Sequence, residues 1–402
     1  MGQDSTIEVV WESFREKLEE GLRRRIRGTI EQVLEEELAA ALGAAPSERT
    51  EERRGYRNGT QERTVVTECG RTTLSIPRGR IRDPRGKTSE WRSEMLPAYQ
   101  RRTRRVDEAI LGVYLAGANS RRIRTALTPL LGASHLSKSA ISRIVGRLKA
   151  SFLAWTGRDL SGESYAVLYL DALYLPVRLV RRVVKVPVQV VLGAQENGQK
   201  VVVAMQIVTS ESTANWISLV GSLAERHLPD PVVVVADGAP GLLASIRKTW
   251  PGAVLQRCTH HKLENLKEKV PQHAHPELLR DYRAITHALS GENALKAYHR
   301  FAEKWGALCP SAVTCLEEAG MDLLTFYRFP KSMWKSLRTT NCLERLNEEF
   351  RRRTKTQGSF PNETATLVLF YGLLAFKQIR MRKIDGWKAI PKMKDAALKN
   401  VA

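Results

Sequence analysis

Between Tyr165 and Val208 three apolar runs follow one another with little between them: YAVLYLDALYLPVRLV, VVKVPVQVVLGAQ and QKVVVAMQIV. Rich in Val, Leu and Tyr and bounded by turn residues, they read as three successive strands. Asn197-Gly198 is a tight turn between the second and third. STANWISLVGSLAERHL then reads as a helix capped by Ser212. PVVVVAD is a short strand, wholly apolar before its acid, as expected of one buried on both faces. A helix (PGLLASIRKTW), a strand (AVLQRC) and a helix (HHKLENLKEKV) complete the series. The predicted order is β-β-β-α-β-α-β-α, an α/β fold.

Three consecutive strands followed by alternating helix and strand is the ribonuclease-H-like order, and two acids stand within it. Asp171 interrupts the first apolar run, and Asp237 follows directly on VVVVA, before Gly238. The carboxyl edge of an open α/β sheet is where ligands bind. A carboxylate inside a strand is costly unless paired, hydrogen-bonded or on a metal. Two such positions on adjacent parallel strands suit two divalent ions about 4 Å apart, the arrangement of two-metal phosphoryl transfer. Mg²⁺ suits such a site, because it binds through one or two carboxylates, waters and phosphate oxygens. Each acid also has a structural reading. Asp171 could face outward, and Asp237 could cap the helix that begins at Ala239 or Pro240.

A third acid, Glu344, opens the helical and basic segment RTTNCLERLNEEFRRRTKT. Its structural reading is a variant capping box with Asn341 as the cap. Glu348, one turn on, and Glu349 compete with it for a metal role. Cys258-Thr-His-His261 is half a zinc site. Only the tertiary fold could complete it with Cys309 and Cys315, so structural zinc is not expected.

The formal charge of +21 is unevenly spread. Residues 51–150 carry +13 and 331–402 carry +10, whereas 1–50 carry −4 and 151–330 only +2. Two basic blocks around a near-neutral middle point to a polyanion, with nucleic acid ahead of a membrane surface. Residues 6–43 have helical periodicity, from Ile7, Val10 and Phe14 to Val33 and Leu34, and suit an ordinary packing helix or a dimer contact. Residues 44–63 read as a loop, and 64–79 as a hairpin split around Gly70. Residues 105–155 read as three helices, with Ser120 and Ser137 as caps and Gly132 as a stop, in helix-turn-helix rhythm. The DNA-contact candidates there are Arg121, Arg122, Lys138, Ser139, Ser142, Arg143 and Arg147. A second set is Arg351, Arg352, Arg353 and Lys355, placed to track a phosphate backbone. Residues 272–335 are helical in pattern, and NETATLVLFYGLLAFKQIR is an apolar helix expected to pack on the sheet. No apolar stretch approaches the ~18 residues of a membrane span, and the first residues lack a secretory pattern. Five cysteines suit a reducing interior.

Seven blocks in order resemble the Mutator-type transposases of bacterial insertion sequences, a branch of the DDE transposases. They are GYRNGT (55–60), IPRGR (76–80), LDALYLPVR (170–178), ESTANW (211–216), ADGAPGL (236–242), QRCTHHKLENL (256–266) and RTTNCLERLNEEFRRRTKTQGSFPNE (338–363). The resemblance covers nearly the whole chain, and its last block is long and specific. It implies a ribonuclease-H-like core with an all-helical insertion, preceded by the helix-turn-helix-like region. It implies Asp171, Asp237 and Glu344 as the metal-binding catalytic triad for two Mg²⁺ ions, with Mn²⁺ able to substitute. Cys258 and His261 match the family's C-x-x-H motif, with His261 supporting the active site or contacting DNA. Cys342 stands where the family often has Pro in N-P-x-E-R. The implied domains are an N-terminal helical region at 1–50, a DNA-binding region at 51–155, core at 160–270, insertion at 271–335 and core again at 336–402. The implied reaction is cleavage at terminal inverted repeats of double-stranded DNA, then transfer of the 3′-OH into other DNA. A homodimer or higher assembly, cytoplasmic and nucleoid-associated, is expected. The alternatives are a non-catalytic DNA-binding regulator and another ribonuclease-H-like nuclease.

Overall fold

The computed structural model describes residues 3–83, 86–118, 120–131, 136–179, 182–208, 212–357 and 363–393. The chain divides into two compact units, Met1–Arg147 and Leu148–Ala402.

The first unit opens with α1 (Gln3–Leu42), a helix of 40 residues. Leu34, Leu38 and Leu42, spaced by four, are fully buried. Leu34 shares a core with Val65, Leu74 and Leu96 of the sheet region. At the other end of the helix Trp11, Phe14, Leu18 and Leu22 are exposed. The sheet is antiparallel, order β1-β2-β3, from β1 (Gly55–Thr67), β2 (Gly70–Arg82) and β3 (Thr88–Glu90). The hairpin is where the sequence puts it, but its first strand begins at Gly55, inside the stretch expected to be loop. Asn58-Gly59, a turn signal, makes a bulge instead: pairing slips between Arg57 and Thr60, and Gly59 has φ 73°. Glu31 of α1 accepts from the Ser75 amide at 2.6 Å, and Glu35 pairs with Arg57 at 2.8 Å, tying helix to hairpin.

Three helices follow, as expected: α2 (Arg104–Leu115), α3 (Ser120–Leu131) and α4 (Lys138–Thr156). Val106, Ile110, Ile123, Leu127, Ile141 and Ile144 are their buried positions. Ser137 Oγ accepts from the Ala140 amide at 3.1 Å, capping α4. The Ser120 side chain and Gly132 lie outside the described residues.

The second unit is built on a mixed sheet of order β6-β5-β4-β7-β8. Its strands are β4 (Val167–Leu179), β5 (Arg182–Ala194), β6 (Lys200–Ile207), β7 (Val233–Ala236) and β8 (Val254–Arg257). The first three pair antiparallel; β7 and β8 continue parallel to β4. Helices α5 (Thr213–Glu225), α6 (Pro240–Thr249) and α7 (Thr259–Lys267) alternate with them, so the element order is the one predicted. Ser212 caps α5 by accepting from the Asn215 amide. The core gathers Leu168, Leu170, Val191, Trp216, Val234 and Trp250.

Helices α8 (His275–Thr286), α9 (Gly291–Leu308) and α10 (Pro310–Ala319) follow, then short turns and α11 (Trp334–Leu337). They carry their own core, with Leu278, Tyr282, Phe301, Trp305 and Leu316. The chain then returns to the sheet. Helix α12 (Asn341–Gln357) packs on β4, and α13 (Glu363–Ala375) on β6. Phe350 and Phe370 stack between the two helices, ring centroids 3.9 Å apart. Among the described residues no helix is long and apolar enough to cross a membrane.

Candidate active site

The parallel register of β4 with β7 sets the site. Val167 faces Val233, and the pairing runs to Leu170 opposite Ala236. The next residue of each strand is an acid, Asp171 and Asp237, so two carboxylates leave adjacent parallel strands side by side. Asp171 is buried, 6% exposed, which answers the outward-facing reading. Its Oδ1 accepts from the Ala172 amide at 2.8 Å and its Oδ2 from the Thr340 hydroxyl at 3.3 Å. Asp237 accepts from the Gly238 amide at 2.5 Å and does not cap α6, whose cap position is Ala239.

Helix α7 starts directly after β8 and puts two histidines against these acids. His261 lies between them, Nε2 4.0 Å from Asp171 and Nδ1 3.8 Å from Asp237. His260 Nε2 is 3.5 Å from Glu344, in the first turn of α12. Asn341 is the first residue of that helix, so the capping box built on Asn341 as the cap is not formed. The preceding residue, Thr340, is fully buried; besides holding Asp171, its amide donates to Cys258 Sγ at 3.4 Å. The Thr259 amide donates to Arg338 O at 2.9 Å. These bonds stitch the entry to α12 onto the turn between β8 and α7, which brings Glu344 to the sheet edge.

Burial raises the Asp171 carboxyl to about 7, with the Asp237 charge adding to the shift and His261 opposing it. Burial opposes a charged His261 ring, yet the Cys258 sulfur, Asp171 and Asp237 outweigh it and hold the imidazole up at about 10. His261 Nδ1 is buried with no hydrogen-bond partner among the described residues. Nor do three His, Cys, Asp or Glu side chains there stand close enough to share one ion. The acids are instead arranged in series: Asp171 and Asp237 about His261, and Glu344 about His260.

Two buried basic side chains joined to a half-exposed acid back this edge. Arg257, 4% exposed at its side chain, forks onto Glu318 of α10 at 2.9 and 3.1 Å. Lys262, 2% exposed, reaches the same carboxylate at 2.5 Å and the Cys315 carbonyl at 2.8 Å. Burial opposes the Glu318 charge, but Arg257 and Lys262 overcome it and hold the carboxyl down at about 2. The guanidinium also lies against Gly238: a Cβ there would sit 2.0 Å from Arg257 Nη2. The glycine after Asp237 thus leaves room for the Arg257 guanidinium.

Of the remaining candidates, Arg121 and Arg122 are exposed on α3, and Lys138, Ser139, Ser142, Arg143 and Arg147 on α4. Arg147 is held by Asp107 at 2.5 Å, and Ser139 Oγ is 3.0 Å from Ser137 Oγ. Arg351 and Arg352 are exposed on α12, with Arg352 paired to Glu349 at 2.5 Å, while Arg353 is half-buried. The Lys355 side chain lies outside the described residues. His260, Thr340, Arg257, Glu318 and Lys262 were not singled out from sequence. Only Glu318 falls outside the motifs: His260, Arg257 and Lys262 lie in the 256–266 block and Thr340 in the 338–363 block, but nothing local marks their roles.

Known proteins similar to this chain are transposases. The chain belongs to their Mutator family, whose description, "Transposase, Mutator family", matches residues 4–380. The transposase for insertion sequence element IS905 of Lactococcus lactis is 34% identical over 325 residues, 80% of each chain. That for ISRM5 of Rhizobium meliloti is 34% identical over 317 residues, 79% of this chain and 77% of its own. That for IS1081 of Mycobacterium tuberculosis is 31% identical over 319 residues, 79% and 75%. The Drosophila P element transposase strand transfer complex aligns at a TM-score of 0.27 and 12% identity, over 74% of this chain and 80% of its own, a likeness too slight to bear on the fold.

Proposed function

We propose that this chain cuts double-stranded DNA at the terminal inverted repeats of its element and joins the freed 3′-OH to another phosphodiester. On this reading the five-stranded sheet is ribonuclease-H-like, and Asp171, Asp237 and Glu344 are its catalytic acids. The observation that carries it is the register that sets Asp171 beside Asp237 on adjacent parallel strands, with Glu344 brought to the same edge.

The donor set fits a hard divalent cation. All three groups are carboxylates, and the buried Asp171 meets no Lys or Arg among its described partners, only His261 and hydrogen-bond donors. Mg²⁺, or Mn²⁺ in its place, would activate water or a 3′-OH and neutralise the leaving oxygen. The protein's own part is positioning. Thr340 donates to Asp171 and fixes its carboxylate. His261 holds a proton between Asp171 and Asp237 and offsets their repulsion until substrate arrives. His260 orients Glu344. The exposed basic face of α12, with Arg351 and Arg352, continues from Glu344 and suits a phosphate backbone. Residues 51–155 would bind the element ends, in a dimer or higher assembly that brings two ends together. The exposed Trp11, Phe14, Leu18 and Leu22 of α1 support such a contact.

Asp171→Asn tests the reading. With element-end DNA and Mg²⁺, nicks and joined products should fall by at least ~10³-fold, while end binding stays within about twofold of wild type. Undiminished Mg²⁺-dependent nicking by this variant would remove the assignment. Nicks without joined products from the wild-type protein would point to a nuclease instead.

A further inference from the structure

The first unit holds a recessed basic groove that the acidic site does not use. Its volume is about 880 Å³, and it is lined by β1, β2, the stretch after β3 and the first turns of α4. Seven arginines line it among the described residues. Three are committed elsewhere. Arg63 donates to the carbonyls of Leu96, Pro97 and Ala98, Arg78 pairs with Glu90 at 3.0 Å, and Arg102 pairs with Asp107 at 2.8 Å. The other four, Arg71, Arg92, Arg101 and Arg143, are exposed and have no acid partner among the described residues. Arg143 donates only to a carbonyl of its own helix, that of Ser139, at 3.4 Å. Glu62 and Glu90 are the acids of the wall, and Glu90 is taken up by Arg78.

Four guanidinium groups without an acid partner, against the single further acid Glu62, give the recess a positive potential that attracts an anion. Arg63 feels this: its guanidinium is lowered, by burial first and by the Arg101 charge second. Two aromatics share the wall. The Trp91 amide donates to Gly79 O at 2.8 Å, which holds its backbone beside the sheet edge, and the residue lines the groove. Tyr99 is 94% exposed, yet it sits directly after the three carbonyls that Arg63 grips. An aromatic ring held in water on a pinned loop is ready to stack.

We infer that this groove binds a single strand of DNA, its phosphates on Arg71, Arg92, Arg101 and Arg143 and its bases against Trp91 and Tyr99. Basic tracks interleaved with aromatics are how proteins hold single strands, because every base offers a stacking face. The volume lies within the range of small-ligand pockets, about 300–1,000 Å³, which suits a few nucleotides of one strand. Duplex DNA is read by elements that project into its grooves, and a recess offers the reverse shape. The inference rests on the proposal that this chain works on DNA, since a nick at an element end leaves a strand terminus whose last bases can peel away from the duplex.

The test uses the full chain, fluorescence anisotropy and two labelled probes, a short single strand and a blunt duplex of the same sequence. Tyr99→Ala should weaken single-strand binding roughly 5- to 150-fold and leave duplex binding within about twofold. Tyr99→Phe, which keeps the ring, should restore it. Replacing Arg92 and Arg101 by Ala should make the salt dependence of single-strand binding shallower by roughly 0.7 for each phosphate no longer neutralised. An unchanged single-strand affinity in Tyr99→Ala overturns the inference. An equal loss on both probes also overturns it, by showing that the groove takes duplex backbone. Asp171→Asn, run on the same probes and in the nicking assay, separates the two readings. If it still nicks, the catalytic reading fails while the Tyr99 result stands; if it does not nick and Tyr99→Ala binds normally, only the groove fails.

Discussion

Strand β7 buries all four of its residues, whereas β2 alternates buried and exposed positions through most of its thirteen. The two sheets of this chain differ in the same way. In the second unit the centre of the sheet is apolar on both faces, so β4, β5 and β7 announce themselves as runs rich in Val and Leu, and a carboxylate within one is conspicuous. In the first unit one face packs on α1 and the other carries Arg, Thr and Glu. What the comparison teaches concerns cost. Asp171 of the second unit sits where ionisation is expensive, and Arg257 and Lys262 are buried charges that need a counter-charge. The arginines of the first unit stand in water, where charge is cheap and remains available to a partner.

If that contrast holds, the largest stability loss from a single charge should come at the second unit's edge. Glu318→Gln takes the counter-charge from the buried Arg257 and Lys262; because the carboxylate itself is half-exposed and screened, the loss should be about 1.5–3 kcal/mol, measured by urea unfolding. The same pair gives a pH signature. The Glu318 carboxyl is held at about 2 against an ordinary 4.5, so its contribution is complete above pH 4.5 and is lost as pH falls toward 2. That part of the acid-induced loss should be missing from Glu318→Gln. Equal acid sensitivity in the two proteins would show that the network is not what holds this edge.

Two glycines sharpen the comparison at smaller scale. Gly238→Ala requires the Arg257 guanidinium to shift within its fork with Glu318, and should cost about 1–2 kcal/mol. Gly59→Ala meets no atom within 4 Å, so its cost is the positive φ of 73° alone, about 1 kcal/mol. A larger loss at Gly59 than at Gly238, in the same unfolding assay, would reverse the ranking of the two regions.

The same contrast explains what was legible beforehand. The order of strands and helices from Tyr165 to Val270 could be read directly, because burial on both faces writes an apolar run. Asp171, Asp237, Glu344 and His261 could be named because each stood out from its local pattern or fell in a motif. Residues 55–63 read as loop but form strand. Arg57, Asn58, Gln61 and Glu62 are polar, and Asn58-Gly59 signals a turn; only the pairing with β2 makes them a strand. Arg257 and Lys262 fell in the 256–266 motif, but their pairing with Glu318 could not be read, since that acid lies outside every motif, 61 residues from Arg257 and 56 from Lys262. Thr340 was within the longest motif, but its hydrogen bond to Asp171 spans 169 residues and depends on how α12 returns to β4.

The central claim is that Asp171, Asp237 and Glu344 act together on DNA at one sheet edge. The direct measurement is a single reaction of element-end DNA, protein and Mg²⁺, scored for nicks and for joined products. Asp171→Asn, Asp237→Asn, Glu344→Gln and Glu348→Gln are run side by side with wild type. The account predicts that the first three lose both products while remaining folded and able to bind ends, and that Glu348→Gln keeps them. Near-normal joining by Glu344→Gln, with loss in Glu348→Gln, would contradict it by moving the third acid one turn along α12.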